Sequence, residues 1–286
     1  MSTTAPRFAC WALVFGMACS PTEEAPAAWP GGSDSPRIAI EETTYNQGKE
    51  DASPTAYGDE WKENEQPQHS VTISAFQIAQ YEVTVTRWAD FLNAVADAAE
   101  VFYHPLQPVS WNGTEWSPDP DEAERPIRYV SWHDASAYCV WADGRLPTEA
   151  EWELAAKGKD SDDRYPWGAD GASCELAVYF TNHTLCETTP EVVGSRSPDG
   201  DSPYGLADMA GNVAEWVQDR YGDYSDEEAT NPIGPDDGNY RVMRGGGFRD
   251  VDDSIRTTAR WAVLPDRRSE GVGFRCAFEA DSGSGR

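Results

Sequence analysis

The segment at residues 205–216 carries groups that could bind a metal ion. Asp208 and Glu215 supply carboxylate oxygens seven residues apart, and Gly211 and Val213 can present backbone carbonyl oxygens from the turn between them. Calcium accepts carboxylate and carbonyl oxygens together, whereas zinc and copper prefer His or thiolate ligands. We therefore predict a calcium site at this turn. The alternative is that Asp208 caps the turn and Glu215 bonds to backbone.

Four segments together carry a family resemblance. They are residues 205–216, RLPTEAEWE at 145–153, RGGGF at 244–248 and GFRC at 273–276. In this order they resemble the formylglycine-generating enzyme and sulfatase-modifying factor superfamily. The resemblance implies that family's fold, a C-type-lectin-like α+β domain with much irregular structure. It also implies the calcium site, because the similar family segment binds calcium at these same four positions.

The oxidase chemistry of that family needs two cysteines that this sequence lacks. The family uses the pair, after a Gly-Gly turn, to hold copper(I) and to bind the substrate thiol, and soft copper(I) prefers thiolates. The corresponding positions here are Asp250 and Ile255. Gly247 stands where the family usually has Ser, and Gly271 where it has Asn. We therefore expect no copper and no catalytic residue in this chain.

Three residues around the altered segment are predicted to bind a substrate. Arg260 matches a pocket arginine of the family, the bulky Trp261 follows it, and Phe248 ends the Gly-rich turn. Arg260 could instead brace the aspartates at 250–253.

Two functional hypotheses follow from the resemblance and the missing thiolates. In the first, the protein is a calcium-braced binding module that recognises a peptide, a glycan or a partner protein through its irregular loops. In the second, it is an oxidoreductase of the formylglycine-generating type with an altered active site, acting on a protein or a small molecule. A metal would then be held by Asp250, Asp252 and Asp253, and three carboxylates without His favour calcium, magnesium or manganese.

The composition describes one acidic, loop-rich domain. The chain has 286 residues, 39% of them hydrophobic, with 12 Trp, 24 Gly and 20 Pro. This content suffices for a core with aromatic anchors. Fifty acidic and 22 basic residues give a net charge of -28, which repels phosphate backbones and anionic headgroups. We expect no nucleic-acid partner, and membrane contact only through a lipid anchor.

The N-terminal residues 1–18 are typical of a signal peptide. An apolar run at 8–17 follows Arg7 and is too short to span a bilayer. Cys19 then resembles the lipid-attachment cysteine of bacterial lipoproteins, although Gly16 stands where such signals usually carry an aliphatic residue. We predict an exported protein, either a cell-envelope lipoprotein or a secreted one. Retention of the segment as an N-terminal tail is the third alternative.

The predicted domain boundaries follow the composition. Residues 19–36 form a flexible tether, 37–280 a sulfatase-modifying-factor-like domain, and 281–286 a flexible tail.

Four cysteines remain after the leader and Cys19 are set aside. In an exported protein they are most simply two disulfides, and the sequence alone leaves three pairings. The family resemblance suggests that Cys139 pairs with Cys276, which leaves Cys174 to pair with Cys186.

Local patterns predict the elements that position these residues. Residues 70–76 alternate apolar and polar side chains as a strand does, and a helix follows Thr84. A second helix follows Ser131 and is expected to stop at a left-handed Gly144. A third helix begins with Thr148, which makes a capping box with Glu151.

Overall fold

The computed structural model describes residues 35–50, 63–181 and 183–280, without the side chain of Asp97. The signal peptide, Cys19, nearly all of the tether and the tail lie outside the described residues. In chain order the elements are β1 (Arg37–Ile40), β2 (Thr43–Gln47), β3 (His69–Ile73), β4 (Phe76–Ala79), α1 (Val85–Val95), α2 (Ala99–Phe102), β5 (Val109–Trp111), β6 (Trp116–Pro118), α3 (Trp132–Trp141), α4 (Glu149–Lys157), β7 (Ala214–Arg220), β8 (Ala229–Thr230), β9 (Arg241–Arg244), β10 (Arg260–Val263), β11 (Val272–Gly273) and β12 (Ala277–Glu279).

The strands form several small sheets rather than one large one. A four-stranded sheet has the order β10-β9-β7-β11, and two three-stranded sheets have the orders β1-β4-β12 and β2-β3-β8. Strands β5 and β6 form a hairpin. Long irregular segments connect these elements, the longest running from α4 to β7. The α+β class and the irregular character expected from the sequence are therefore confirmed.

The described residues contain no helix with the length and apolar character that crossing a bilayer would need.

Side-chain caps fix the starts of the helices. The Thr84 hydroxyl accepts a hydrogen bond at the start of α1, as predicted. Ser131 forms a capping box with Asp134 at α3, and Thr148 forms one with Glu151 at α4. These bonds satisfy backbone N–H groups that have no partner within the helix.

The end of α3 differs from the prediction. The helix stops at Trp141, and the left-handed residue is Asp143, with φ of 60°, rather than Gly144. Glycine is needed at position 144 for another reason. A Cβ there would lie 2.6 Å from the Ala277 carbonyl oxygen, because the chain passes directly against β12.

Aromatic side chains fill the core between these elements. Trp88 of α1, Trp152 of α4 and Trp216 of β7 are each fully buried, and Trp88 packs against Phe91 and Phe274. Burial of such large rings is a main stabilising contribution in a domain with short strands.

Both predicted disulfides are confirmed. Cys139 of α3 is bonded to Cys276, which directly precedes β12, across 137 residues of sequence. Cys174 is bonded to Cys186 and closes a loop with a separation of 12 residues. The described residues contain no free cysteine.

Candidate functional site

The first candidate site is a buried group of charges at the turn before β7. It consists of Glu82, Asp208, Glu215 and Arg275, and we call it the acidic cluster. Glu215 and Arg275 are fully buried, Glu82 is 1% exposed and Asp208 is 9% exposed. Three carboxylates therefore face a single guanidinium where little water can screen them.

The turn itself depends on left-handed backbone. Asp208 has φ of 57°, Gly211 of 85° and Asn212 of 59°. A Cβ on Gly211 would lie 2.4 Å from the Val178 carbonyl oxygen. Glycine is thus required at this predicted ligand position both by its conformation and by the close approach of another segment.

Glu215 holds Arg275 through both of its oxygens. The Arg275 Nε donates to Glu215 Oε2 at 2.8 Å and the Nη2 donates to Oε1 at 2.6 Å. The Arg275 Nε also donates to Oε1 at 3.0 Å, and the Trp152 indole donates to Oε2 at 2.8 Å. Glu215 can therefore bind a metal only with lone pairs that remain after these four hydrogen bonds.

Asp208 and Glu82 are the other two carboxylates of the acidic cluster. Asp208 accepts one backbone hydrogen bond, from Gly194 N at 2.6 Å, and burial raises its pKa to about 6. Burial also raises the pKa of Glu82 well above its usual value, and the negative charges of Asp208 and Glu215 raise it further. Burial is the main cause of both elevated pKa values, and the neighbouring carboxylates add to it.

Glu82 is a member of the acidic cluster that the sequence analysis missed. Its carboxylate accepts hydrogen bonds from Asn212 Nδ2 at 2.6 Å and from Val213 N at 3.2 Å, so it holds the predicted calcium turn in place. More than a hundred residues separate the partners, and no local spacing marks Glu82 for this role.

Some oxygen atoms of the turn are suitable ligands for a hard cation. Across the described turns and loops, no backbone N–H donates to the carbonyl oxygen of Gly211 or Val213. With Asp208 they offer the oxygen atoms that calcium prefers. Within the described residues, however, no three His, Cys, Asp or Glu side chains are grouped so that they alone could hold a metal. A cation here would rely on backbone oxygens, as the sequence analysis expected.

The second candidate site is a cavity of about 500 Å³ beside the Gly-rich turn. Its walls are mainly small and apolar, and its rim carries charged side chains. Tyr240 and Leu264 are exposed at 47% and 55%. The lining residues are Ala214, Tyr240, Met243, Gly247, Phe248, Arg249, Asp250, Ala262, Val263, Leu264, Arg267, Ser269, Glu270, Gly271 and Val272.

Of the two positions where the family carries its cysteines, one lines the cavity and the other lies in the core. Asp250 lines the cavity, and its Oδ2 accepts a hydrogen bond from Gly247 N at 2.8 Å. Ile255 is fully buried in an apolar cluster with Tyr165 and Tyr179 and does not line the cavity. The disulfide cysteines do not line it either.

The three aspartates of the second hypothesis do not converge on one point. Asp253 pairs with Arg164 and with Arg256. Asp252 Oδ1 accepts a hydrogen bond from the backbone of Asp253, and Asp250 Oδ2 accepts one from Gly247 N in the Gly-rich turn. Their contacts therefore do not support a shared metal site.

Of the three predicted substrate-binding residues, only Phe248 lines the cavity. Arg260 is 4% exposed and forms two hydrogen bonds with Glu149, at 2.7 and 2.6 Å. Its remaining amino group donates to the carbonyls of Asn64 and Gly222. Arg260 thus braces the fold, with Glu149 as its partner rather than the aspartates at 250–253. Trp261 packs against the core from β10.

A family model described as "Sulfatase-modifying factor enzyme 1-like domain" matches residues 35–280. The chain is 33% identical over 316 residues to the formylglycine-generating enzyme of Streptomyces coelicolor, covering 94% of this chain and 99% of that protein. It is 36% identical over 169 residues to a mouse protein named inactive C-alpha-formylglycine-generating enzyme 2, covering 56% of this chain and 51% of that one.

Two further similarities extend the comparison. The chain is 35% identical over 227 residues to serine/threonine-protein kinase pkn1 of Chlamydia pneumoniae; the match covers 76% of this chain but only 35% of that protein. The chain thus spans about a third of the length of that relative. Among solved structures, Treponema denticola variable protein 1 is similar with a TM-score of 0.62 and 26% identity, covering 85% of this chain and 95% of that one.

Proposed function

Because the chain belongs to the sulfatase-modifying factor family, we propose that it is a member whose copper-dependent oxidation has been replaced by ligand binding. On this proposal the protein is an exported binding module, and calcium braces the turn before β7. The observation that carries the proposal is a cavity of about 500 Å³ without a thiolate on its walls.

The residues of the cavity support binding rather than oxidation. Asp250 stands at one position of the cysteine pair, and a carboxylate is a hard ligand that does not suit copper(I). Ile255, at the other position, is packed in the core. A mouse relative that bears the word inactive in its name is consistent with such a loss within the family.

The walls of the cavity suit a ligand with apolar parts. Phe248 and Met243 supply a buried floor, while Tyr240 and Leu264 at the rim remain about half exposed. Apolar walls with a few polar groups at the edge are usual for binding sites. We propose a peptide, a glycan or a protein segment as the ligand.

The test of this proposal measures turnover and binding on the same preparation. With a Cys-x-Pro-x-Arg peptide, copper(I) and oxygen, we expect no aldehyde by mass spectrometry. On arrays of glycans and of peptides without Lys or Arg we expect hits that are lost in Leu264→Asp, since that change places a charge on the apolar rim. Aldehyde formation would favour the oxidoreductase alternative, and hits that persist in Leu264→Asp would contradict binding in the cavity.

The charge balance of the acidic cluster supports the calcium part of the proposal. A divalent cation beside Asp208 would offset the surplus of carboxylates over Arg275, and the carbonyls of Gly211 and Val213 could complete its ligands. Glu215 would contribute the lone pairs that Arg275 and Trp152 leave.

We expect calcium to raise the melting temperature by roughly 5 °C or more over a chelated sample, because a ligand that binds only the folded state stabilises it. Asp208→Ala should abolish this rise, whereas Asp208→Asn should keep part of it through the amide oxygen. Glu215→Ala is a poorer probe, since it also removes the partner of Arg275. Differential scanning calorimetry is the measurement, with exposed Glu228→Ala as the control. An equal rise in Asp208→Ala would exclude this site.

Export remains part of the proposal. Two disulfides within the domain favour an oxidising compartment, where such bonds persist. The signal peptide and the lipid on Cys19 are proposed from the sequence alone.

A further inference from the structure

A row of three aromatic rings runs from the core to the surface at the β5–β6 hairpin, with Tyr103 and Trp116 packed against the core and Trp111 exposed, and we call it the aromatic face. Trp111 and Trp116 are cross-strand partners whose ring centroids are 5.6 Å apart. Tyr103 continues the row, with its centroid 4.7 Å from that of Trp116. None of the three lines the cavity described above.

Packing within the hairpin does not account for all of this surface. A cross-strand pair of rings stabilises a hairpin, which explains the partly buried Trp116. Trp111, however, is 52% exposed. Two other large apolar residues of the same short stretch, Val101 and Leu106, are 56% and 60% exposed. An exposed indole in a stretch of chain that has further exposed apolar side chains is typical of a contact surface.

The aromatic face is held firmly by its surroundings. Asn93 of α1 forms two hydrogen bonds with the start of β6. Its Oδ1 accepts from Trp116 N at 2.7 Å, and its Nδ2 donates to Trp116 O at 2.9 Å. The tip is closed by Asn112, which accepts from the backbone of Thr114 and Glu115. A surface fixed in this way loses little conformational entropy when a partner binds.

The chain segment that carries the aromatic face is acidic. Residues 88–124 contain no Lys or Arg. Arg268 reaches the segment from elsewhere, donating to the Tyr103 carbonyl oxygen at 3.4 Å, and its charge is paired with Asp134. Eight acidic residues lie in the stretch, namely Asp90, Asp97, Glu100, Glu115, Asp119, Asp121, Glu122 and Glu124.

From these observations we infer that the aromatic face docks a basic peptide segment, with an Arg or Lys side chain stacked on Trp111. The faces of aromatic rings attract cations, and Trp attracts them most strongly. The carboxylates around the hairpin, Glu115 above all, complement the same positive charge and repel anionic partners. The three rings do not line the cavity, so the inference does not require a ligand there.

The test uses hexa-arginine as the probe, titrated against the full-length protein and followed by tryptophan fluorescence and calorimetry. We expect saturable binding that Trp111→Ala weakens by about fivefold, the size of a cation–π contact at an exposed site. Glu115→Gln, which leaves the rings in place, should also weaken binding and reduce its salt dependence. Tyr240→Ala, at the cavity, should leave the affinity within about twofold of the wild type.

Three results would overturn the inference. Absence of binding is the first. Equal affinity in the wild type and Trp111→Ala is the second, because it would mean that the net charge of -28 attracts the probe without this surface. Binding of neutral chitohexaose that needs Trp111, without binding of hexa-arginine, is the third and would assign the face to a glycan. Circular dichroism establishes that each variant is folded.

Discussion

Arg275→Met is expected to cost on the order of 3–5 kcal/mol of unfolding free energy, as removal of one partner from a buried ion pair does. The guanidinium donates to Glu215 and also to the backbone carbonyls of Gln80 and Ala207, at 2.9 Å each. In the variant Ala207 O loses this donor, Glu215 retains its hydrogen bond with the Trp152 indole, and Gln80 O retains its bond with Ala207 N. Glu82 and Asp208 would then add repulsion that nothing offsets.

Urea unfolding followed by fluorescence measures the decrease in unfolding free energy. If the variant does not fold, a low soluble yield and the loss of the folded circular dichroism spectrum show the effect instead. The matched control is Arg249→Met, which breaks an ion pair with Glu270 at the surface, where the two side chains are 57% and 40% exposed. Exposed pairs contribute about 1 kcal/mol or less. Equal effects of the two substitutions would contradict the large cost expected for breaking the buried ion pair of Arg275 and Glu215.

Asp219→Asn is expected to stabilise the protein at alkaline pH and to have little effect at acid pH. Asp219 is 3% exposed, and its Oδ2 accepts from Glu149 N at 2.8 Å at the start of α4. Burial, and then the charge of Glu149, raise the pKa of Asp219 to about 8. Asn keeps the shape and the hydrogen-bond acceptor but carries no charge to bury.

The direction of this pH dependence follows from the number of protons that the folded and unfolded states bind. In the unfolded chain the Asp219 pKa is about 4, so the folded state binds the proton more tightly. The associated stability is complete below about pH 4 and is lost as the pH rises to about 8. The advantage of Asp219→Asn should therefore grow by about 3 kcal/mol between pH 5 and 8. Urea midpoints at both pH values test this against Asp236→Asn on an exposed loop; a constant difference would contradict the raised pKa.

Local chemistry made the helix starts predictable, whereas the disulfides were predictable for another reason. The capping residues at α1, α3 and α4 act within four positions of themselves, so a short stretch of sequence contains the whole interaction. The disulfide pairs came from the family resemblance and from an even number of cysteines, and the structure agrees.

Interactions across the chain could not be predicted in this way. Arg260 pairs with Glu149 across 111 residues, and Glu82 reaches Asn212 across 130. Neither partner follows from periodicity, because irregular segments decide which side chains meet. Arg260 was expected to bind substrate because it matches a pocket arginine of the family. The structure shows instead that its guanidinium donates to Glu149.

The sheet β1-β4-β12 also determines how the domain can be connected to other polypeptide. Strands β1 and β12 flank β4 and both run antiparallel to it, so they are parallel to each other. Arg37 at the start of β1 lies level with Ala79, whereas Glu279 at the end of β12 lies level with Phe76. Polypeptide joined to the two termini of the domain therefore leaves from opposite ends of one small sheet, an arrangement that suits a domain placed in series between two others.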